Sequence, residues 1–91
     1  MNKVYVILYN AYEIDDIDIG DLTPIYLSLS KDSRNKEYER LLSSNKNHFE
    51  NCKHTNEDEF EETNEEFSYS LGNWCYHYAK DEYKLDTNLR W

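Results

Sequence analysis

Two cysteines and three histidines supply the side chains that could hold a soft metal ion or serve as a nucleophile and its base. They form an HxxxCxH pattern at His48, Cys52 and His54, and a CxH pattern at Cys75 and His77. Thiolate and imidazole are ligands that suit Zn²⁺, but these spacings match no standard zinc knuckle. No nucleophile elbow or glycine-rich turn frames a Cys/His pair, since the chain has only two glycines. We therefore expect free thiols and surface histidines, with a zinc site as the alternative.

Clustered carboxylates suggest two further chemistries, calcium binding and glycoside hydrolysis. The DDIDIGD sequence places Asp16, Asp18 and Asp21 around Gly20, but it lacks the frame of an EF-hand loop. A glycosidase needs a walled cleft that a chain of 91 residues can hardly provide. Phosphate-binding glycine loops are also missing. We predict a protein that is not an enzyme and uses no cofactor.

The densest charge lies in the acidic segment at residues 55–67, with seven carboxylates in the ten positions from Glu57 to Glu66 and no basic residue among them. Such a surface could occupy a Lys/Arg groove built for nucleic acid, guided there by long-range attraction. The alternative is a solvated face that keeps a small protein soluble. The residues predicted to bind a partner are Glu57, Asp58, Glu61, Glu62, Glu65 and Glu66, with Asp15, Asp16 and Asp18 and the aromatic anchors Tyr12, Tyr69 and Tyr76.

Composition limits the partners and the compartment. A net charge of −9 makes the surface repel DNA, RNA and anionic membranes, while 15% aromatic residues indicate one folded domain over residues 1–91. The nine tyrosines favour protein recognition. The chain has no apolar run long enough to span a membrane, and its start lacks the basic region of a signal peptide. We expect a protein of the bacterial cytoplasm.

The first half of the chain predicts two strands and one helix. Lys3–Tyr9 is a strand that is apolar on both faces, and Thr23–Leu29 is a second strand that pairs with it antiparallel across a long ordered loop. Ser30 caps a helix of about 13 residues, close to the average length. Asn45–Thr55 shows no periodicity and is interpreted as a polar connection.

The second half predicts an acidic helix and a last strand. Phe60 and Phe67, together with Thr63 and Asn64, have the i, i+3, i+4, i+7 spacing of one helix face, although a half-ordered acidic loop fits as well. Gly72 follows as a helix terminator. Asn73–Asp86 alternates as a strand and then changes phase, which predicts a bulge or two short strands. The fold class is α+β: a small antiparallel three-stranded sheet in the order β-β-α-α-β, with the helices on one face.

The two ends of the chain resemble a group of small, mostly uncharacterised phage and bacterial proteins. The matching residues are the KVYV opening at Lys3–Val6, the second strand and capped helix start at Ile25–Lys31, and the YxLD close at Tyr83–Asp86. The resemblance covers about half of the chain and implies a ββαβ-type sheet without implying an activity. The chain departs from that group in its acidic segment.

In size, acidity, Asn/Lys/Tyr-rich composition and lack of catalytic motifs, the chain is also similar to phage-encoded inhibitors of bacterial defence systems, anti-CRISPR proteins among them. This resemblance of class implies a non-enzymatic monomer or homodimer, whose acidic face occupies the basic nucleic-acid groove of a defence nuclease. Two other functions stay open. One is a small-molecule or metal-binding domain with Trp74, Tyr76 and Tyr78 at a pocket, and the other is a structural or regulatory phage protein that self-associates through its sheet edge.

Overall fold

A computed structural model describes residues 3–13, 22–53 and 58–84 of the chain. In chain order the elements are β1 (Lys3–Glu13), β2 (Thr23–Ser28), α1 (Lys31–Cys52), β3 (Phe60–Glu62), β4 (Glu66–Leu71) and β5 (Trp74–Lys84). The strands form one antiparallel sheet in the order β2-β1-β5-β4-β3. Because α1 connects the two edge strands, it crosses one face of this sheet, which we call the covered face. The opposite face, which α1 does not cross, is called the open face, and Val6 and Leu8 are buried on it.

The predicted three-stranded sheet with two helices is therefore wrong. The described residues form five strands and one helix. The expected antiparallel pairing of β1 with β2 is confirmed. β1 lies in the interior of the sheet and buries Val6 and Ile7, whose side chains point to opposite faces, as its apolar sequence requires.

The helix α1 begins where the sequence predicts but continues much further. The hydroxyl of Ser30 accepts a hydrogen bond of 3.1 Å from the backbone N–H of Ser33, which confirms the predicted N-cap. The helix then continues to Cys52, through the predicted polar connection. The residues of α1 on the covered face follow a spacing of three or four: Tyr38, Leu41, Asn45, Phe49 and Cys52. Because Asn45 is polar, the sequence shows no continuous apolar period through this part of the helix.

The acidic segment is a hairpin in its described part, and the predicted acidic helix is wrong. Antiparallel pairing of β3 with β4 places Phe60 opposite Tyr69 and diagonal to Phe67, with the rings of Phe60 and Phe67 stacked at 5.8 Å between centroids. The seven-residue spacing that suggested a helix face therefore reflects two strands folded about a turn. The hydroxyl of Thr63 holds this turn by accepting hydrogen bonds of 3.2 Å from the backbone N–H groups of Glu65 and Glu66.

The end of the predicted acidic helix is instead a tight turn between β4 and β5. Gly72 has φ of 61°, a conformation that glycine adopts without steric cost at the first central position of a type II′ turn. β5 then pairs with β1 over its full length without a bulge, so the predicted break in this strand is wrong. The irregularity lies in β2, where the register shifts opposite Ile7 and Leu8. The alternation of large apolar residues along β5 changes phase because Tyr83 lies on the open face, whereas Tyr76 and Tyr78 lie on the covered face.

The core lies between α1 and the covered face of the sheet. It is built mainly from aromatic side chains: Ile7, Tyr38, Phe49, Phe67 and Tyr69, with Tyr76 and Tyr78 packed against them. Neighbouring strands stack their rings, as Phe67 and Tyr78 do at 4.7 Å and Tyr69 and Tyr76 at 5.0 Å. Each fully buried ring contributes about 1.5–3 kcal/mol of hydrophobic stabilisation. This layer fixes the hairpin against α1 and so positions the acidic edge of the sheet.

Candidate functional site

The strongest charge of the described chain lies along one edge of the sheet, formed by β3, the following turn and the start of β4. We call this the acidic edge. It contains six carboxylates within nine residues: Asp58, Glu59, Glu61, Glu62, Glu65 and Glu66. The helix predicted from sequence would carry all six, but the hairpin distributes them differently, since Glu61 and Glu62 point to opposite faces of the sheet.

The outer side of β3 is free of a neighbouring strand within the described residues, and its backbone pattern can be assigned. The N–H of Ser70 donates to the carbonyl of Glu59 at 2.9 Å, and the N–H of Thr63 donates to the carbonyl of Glu66 at 2.8 Å. Because hydrogen-bonded and non-hydrogen-bonded pairs alternate along an antiparallel ladder, the backbone groups of Phe60 and Glu62 point away from β4. The acidic edge thus presents peptide donors and acceptors between its carboxylates.

Two carboxylates of the acidic edge have a cationic neighbour. Glu62 forms an ion pair with Lys46 of α1 on the covered face. Oε2 of Glu66 lies 3.4 Å from Nε2 of His77 on the open face, a pair that is charged only when the imidazole is protonated. The carboxylate of Asp58 instead accepts a hydrogen bond of 3.1 Å from the backbone N–H of Gly72 and so supports the adjacent turn.

The other three carboxylates, Glu59, Glu61 and Glu65, are exposed and form no ion pair with any described residue. Glu65 also lines a cleft that contains Lys31, Arg34 and Lys80. The repulsion between Glu59 and Glu61 is relieved by water and dissolved cations. A basic partner would replace that solvation with direct contacts, so these three residues are the part of the edge best suited to binding. Glu59 was not among the residues predicted from sequence, although its alternation with Glu61 along a strand would have indicated it.

A shallow groove of about 180 Å³ runs along the open face beside Glu59 and Glu61. Its other walls include Tyr12, Cys75 and the hydroxyls of Ser68 and Ser70. Tyr12 and Cys75 face each other across β1 and β5, and burial, followed by the neighbouring thiol, raises the pKa of the Tyr12 phenol. The groove therefore offers carboxylates and neutral hydroxyls, a combination that suits a Lys or Arg side chain. Neither of the described histidines, His48 and His77, lines it.

The aromatic anchors predicted from sequence lie in different environments. Tyr12 lies beside the groove, in reach of a partner. Tyr69 is a core residue with 5% of its surface exposed, and burial raises the pKa of its phenol. Tyr76 and Tyr78, which the alternative of a small-molecule site placed at a pocket with Trp74, pack against the core beneath α1. The predicted residues Glu57, Asp15, Asp16 and Asp18 lie outside the described residues.

Among the residues that the structure describes, the possible zinc ligands bring together one pair, His48 and Cys52. Sγ of Cys52 lies 3.7 Å from Nδ1 of His48, one helical turn away. Within residues 3–13, 22–53 and 58–84, no group of three or more His, Cys, Asp or Glu side chains is arranged to hold a metal ion. Cys52 and Cys75 are both free thiols. His54, the third member of the HxxxCxH pattern, is outside the described part.

Comparison of the chain with protein-family models, with curated protein sequences and with solved structures found no match. In the part of the chain that the structure describes, no helix is long and apolar enough to cross a membrane. The acidic edge and its groove therefore carry the functional interpretation.

Proposed function

We propose that this protein is a non-enzymatic inhibitor that binds another protein through its acidic edge. The edge takes the place of nucleic acid in a basic groove of that partner. The single observation that carries the proposal is the set of three exposed carboxylates, Glu59, Glu61 and Glu65, without ion-pair partners among the described residues, on a rigid hairpin at the margin of the sheet.

The way the edge is built supports this role. A strand alternates its side chains, so Glu59 and Glu61 project from the same face roughly 7 Å apart. Phe60 lies between them and anchors the strand by stacking on Phe67 and Tyr69 at 5.8 Å and 5.4 Å. The strand therefore holds the backbone of Glu59 and Glu61 in place, which reduces the conformational entropy lost on binding. The groove beside Tyr12 offers a place for one basic side chain of the partner.

The partner class follows from charge. A protein of net charge −9 is attracted to a Lys/Arg-rich surface over distances beyond direct contact, and such surfaces are typical of nucleic-acid-binding proteins. The resemblance of class to phage-encoded inhibitors extends the proposal to a nuclease of a bacterial defence system. Binding to such a nuclease would block its substrate from the groove without any chemical step.

The proposal is tested by capture on the immobilised protein from a nuclease-treated bacterial lysate that contains candidate defence effectors. We expect the protein to retain a nucleic-acid-binding protein at low salt, and to release it both at high salt and when duplex DNA or RNA is added. A variant with Glu59→Gln, Glu61→Gln and Glu65→Gln should capture much less of it.

The matched control removes three carboxylates from α1 instead, with Asp32→Asn, Glu39→Gln and Glu50→Gln. It has the same net charge as the hairpin variant but an intact acidic edge, so it should capture the same protein as the original chain. Retention of a protein that neither salt nor nucleic acid displaces would argue against occupation of a nucleic-acid groove.

A further inference from the structure

The edge of the sheet opposite the acidic edge is formed by β2. In contrast to the acidic edge, it is uncharged and apolar. No charged residue occurs between Leu22 and Ser30. Three of the most exposed large apolar side chains in the described residues lie here, with Ile25 at 47%, Leu27 at 62% and Leu29 at 73% of their surface exposed. Proteins usually protect a free edge strand with charges or by making it very short. β3 has both protections, since it has three residues and two of them are glutamates. β2 has no charged residue, and its proline and register shift, which also discourage pairing, lie in its first half, so its second half has no protection.

One hydrogen bond between β5 and β4 determines which N–H and C=O groups of β2 point out of the described sheet. The N–H of Lys80 donates to the carbonyl of Glu65 at 2.8 Å, so the backbone groups of Lys80 point towards β4. By alternation those of Asp81 point towards β1, where its partner is Val6. The next residue of β1, Ile7, must therefore point its backbone groups towards β2.

The same alternation continues across β2. Ile7 is paired with Tyr26, so the backbone groups of Tyr26 point inward and those of Leu27 point out of the sheet. The outward-pointing residue is thus also one whose apolar side chain is exposed. Pro24, which has no N–H, and the register shift at Ile25 limit the regular part of this edge to residues 26–28, which are centred on Leu27.

We propose that β2 is the dimer interface of this protein, pairing antiparallel with β2 of a second copy about a two-fold axis at Leu27. In that arrangement Leu27 of each copy lies opposite Leu27 of the other, and Ile25 lies opposite Leu29. A two-fold interface must be self-complementary, and an uncharged edge with its free backbone groups centred on one residue meets that condition. Val4 and Tyr83, which are paired on the open face one residue beyond the Tyr5–Ser28 pair, extend the apolar surface.

Charge favours this place for a contact between two copies. Each chain carries a net charge of −9, so association through the acidic edge would bring like charges together. Pairing through β2 instead produces a continuous sheet of ten strands with an acidic edge at each end. Nine strand spacings separate those edges, which is about 40 Å, several times the screening length of about 8 Å at physiological ionic strength.

The dimer would give the protein two equivalent binding edges. Two acidic edges in one assembly can engage two basic surfaces, or two copies of one partner, and the second contact gains from the first by effective concentration. The dimerisation itself does not depend on what the acidic edge binds, so it can be tested without a partner.

The test is the molar mass of the purified full chain in a concentration series, measured by size-exclusion chromatography with light scattering. We expect the mass to rise from that of one 11.0 kDa chain to twice that value. Leu27→Lys places two like charges opposite each other at the axis and should raise the dimer dissociation constant at least about tenfold. Trp74→Lys is the control, since Trp74 is also exposed, at 44%, but lies on β5 away from this edge. Circular dichroism establishes that both variants are folded.

Hydrogen exchange separates strand pairing from a contact of side chains alone. The backbone N–H of Leu27 should exchange rapidly in the dilute monomer and become protected as the dimer forms, because it then donates across the new strand pair. A chain that stays monomeric at every concentration would overturn the proposal, and so would a Leu27→Lys variant that dimerises like the original. Equal exchange of the Leu27 amide at low and high concentration would also contradict it.

Discussion

The hydroxyl of Tyr69 donates a hydrogen bond of 2.5 Å to Oδ1 of Asn45, and this bond joins the acidic hairpin to the middle of α1. Asn45 in turn donates from Nδ2 to the carbonyl of Leu41 at 2.7 Å, so both ends of its amide are engaged. The bond lies at the border of an otherwise aromatic core. It therefore fixes how far along the helix the hairpin sits, which stacked rings alone would leave variable.

Replacing Asn45 by alanine should lower the free energy of unfolding by about 1–3 kcal/mol, because the buried hydroxyl of Tyr69 loses its acceptor. Urea denaturation of the two proteins measures this. Tyr69→Phe removes the donor and serves as the second arm of a double-mutant cycle. Losses that simply add in the double variant would show that the two side chains do not interact.

The buried guanidinium of Arg34 should matter far more than an exposed one on the same helix. Arg34 is 6% exposed, donates from Nη1 to the carbonyl of Asp81 at 2.8 Å, and lies 5.4 Å from the centre of the Tyr5 ring. We expect Arg34→Met to cost about 1.5–3 kcal/mol in urea denaturation, because a charged hydrogen bond to β5 is lost. Arg40→Met is the comparison: its pair with Glu37 is screened by solvent, so its loss should change the free energy of unfolding little. Similar losses in both variants would contradict the assigned role.

Tyr38 presents the opposite case, a hydroxyl whose removal should do no harm. Its side chain is 1% exposed, and its hydroxyl oxygen has no hydrogen-bond partner among the described residues. An unsatisfied buried hydroxyl is costly, whereas the ring itself packs against Phe67. Tyr38→Phe should therefore leave the free energy of unfolding unchanged or raise it by up to about 1 kcal/mol. A clear loss of stability would reveal a partner for the hydroxyl, such as a bound water.

Alkaline pH should destabilise the protein through its buried tyrosines. Burial, assisted by nearby glutamates including Glu62 and Glu65, raises the pKa of Tyr38 from 10.0 to about 12. The unfolded chain ionises first, so this contribution is fully present below pH 10 and is lost as the pH rises towards about 12. Urea denaturation across that range should show falling stability together with the appearance of tyrosinate absorbance. The decline should be shallower in Tyr38→Phe, and an equally steep decline would contradict the assignment.

The elements that could be predicted from sequence were those whose signals are local. The paired strands β1 and β2 and the cap at Ser30 depend on residues close together in the chain. The predicted end of α1 was wrong because a polar residue, Asn45, occupies a covered-face position of the helix. Asn45 fits this position because it accepts a hydrogen bond from Tyr69, which is 24 residues away in the chain. No window of sequence around Asn45 contains that partner.

The acidic segment was predicted as a helix because one spacing between its phenylalanines fits both a helix and a hairpin. Phe60 and Phe67 lie seven residues apart, which is two helical turns, but it is also the separation produced by two short strands and a turn. Tyr69 lies two residues after Phe67 on the same face of β4, and its ring stacks on Phe60, a contact that favours the hairpin. The acidic character of the site could be predicted, whereas its pairing with Lys46 could not, because the ion pair with Glu62 depends on where α1 crosses the sheet.

The most direct test of the proposed function compares the affinities of three equally folded proteins for the captured partner by calorimetry at fixed salt. These are the original chain, the hairpin variant at Glu59, Glu61 and Glu65, and the α1 variant at Asp32, Glu39 and Glu50. If the acidic edge is the binding surface, the hairpin variant should bind at least about tenfold more weakly, a loss of about 1.4 kcal/mol. The α1 variant, which has the same net charge, should bind nearly as tightly as the original. Equal weakening in both variants would mean that only overall charge matters, and would contradict a binding site at the acidic edge.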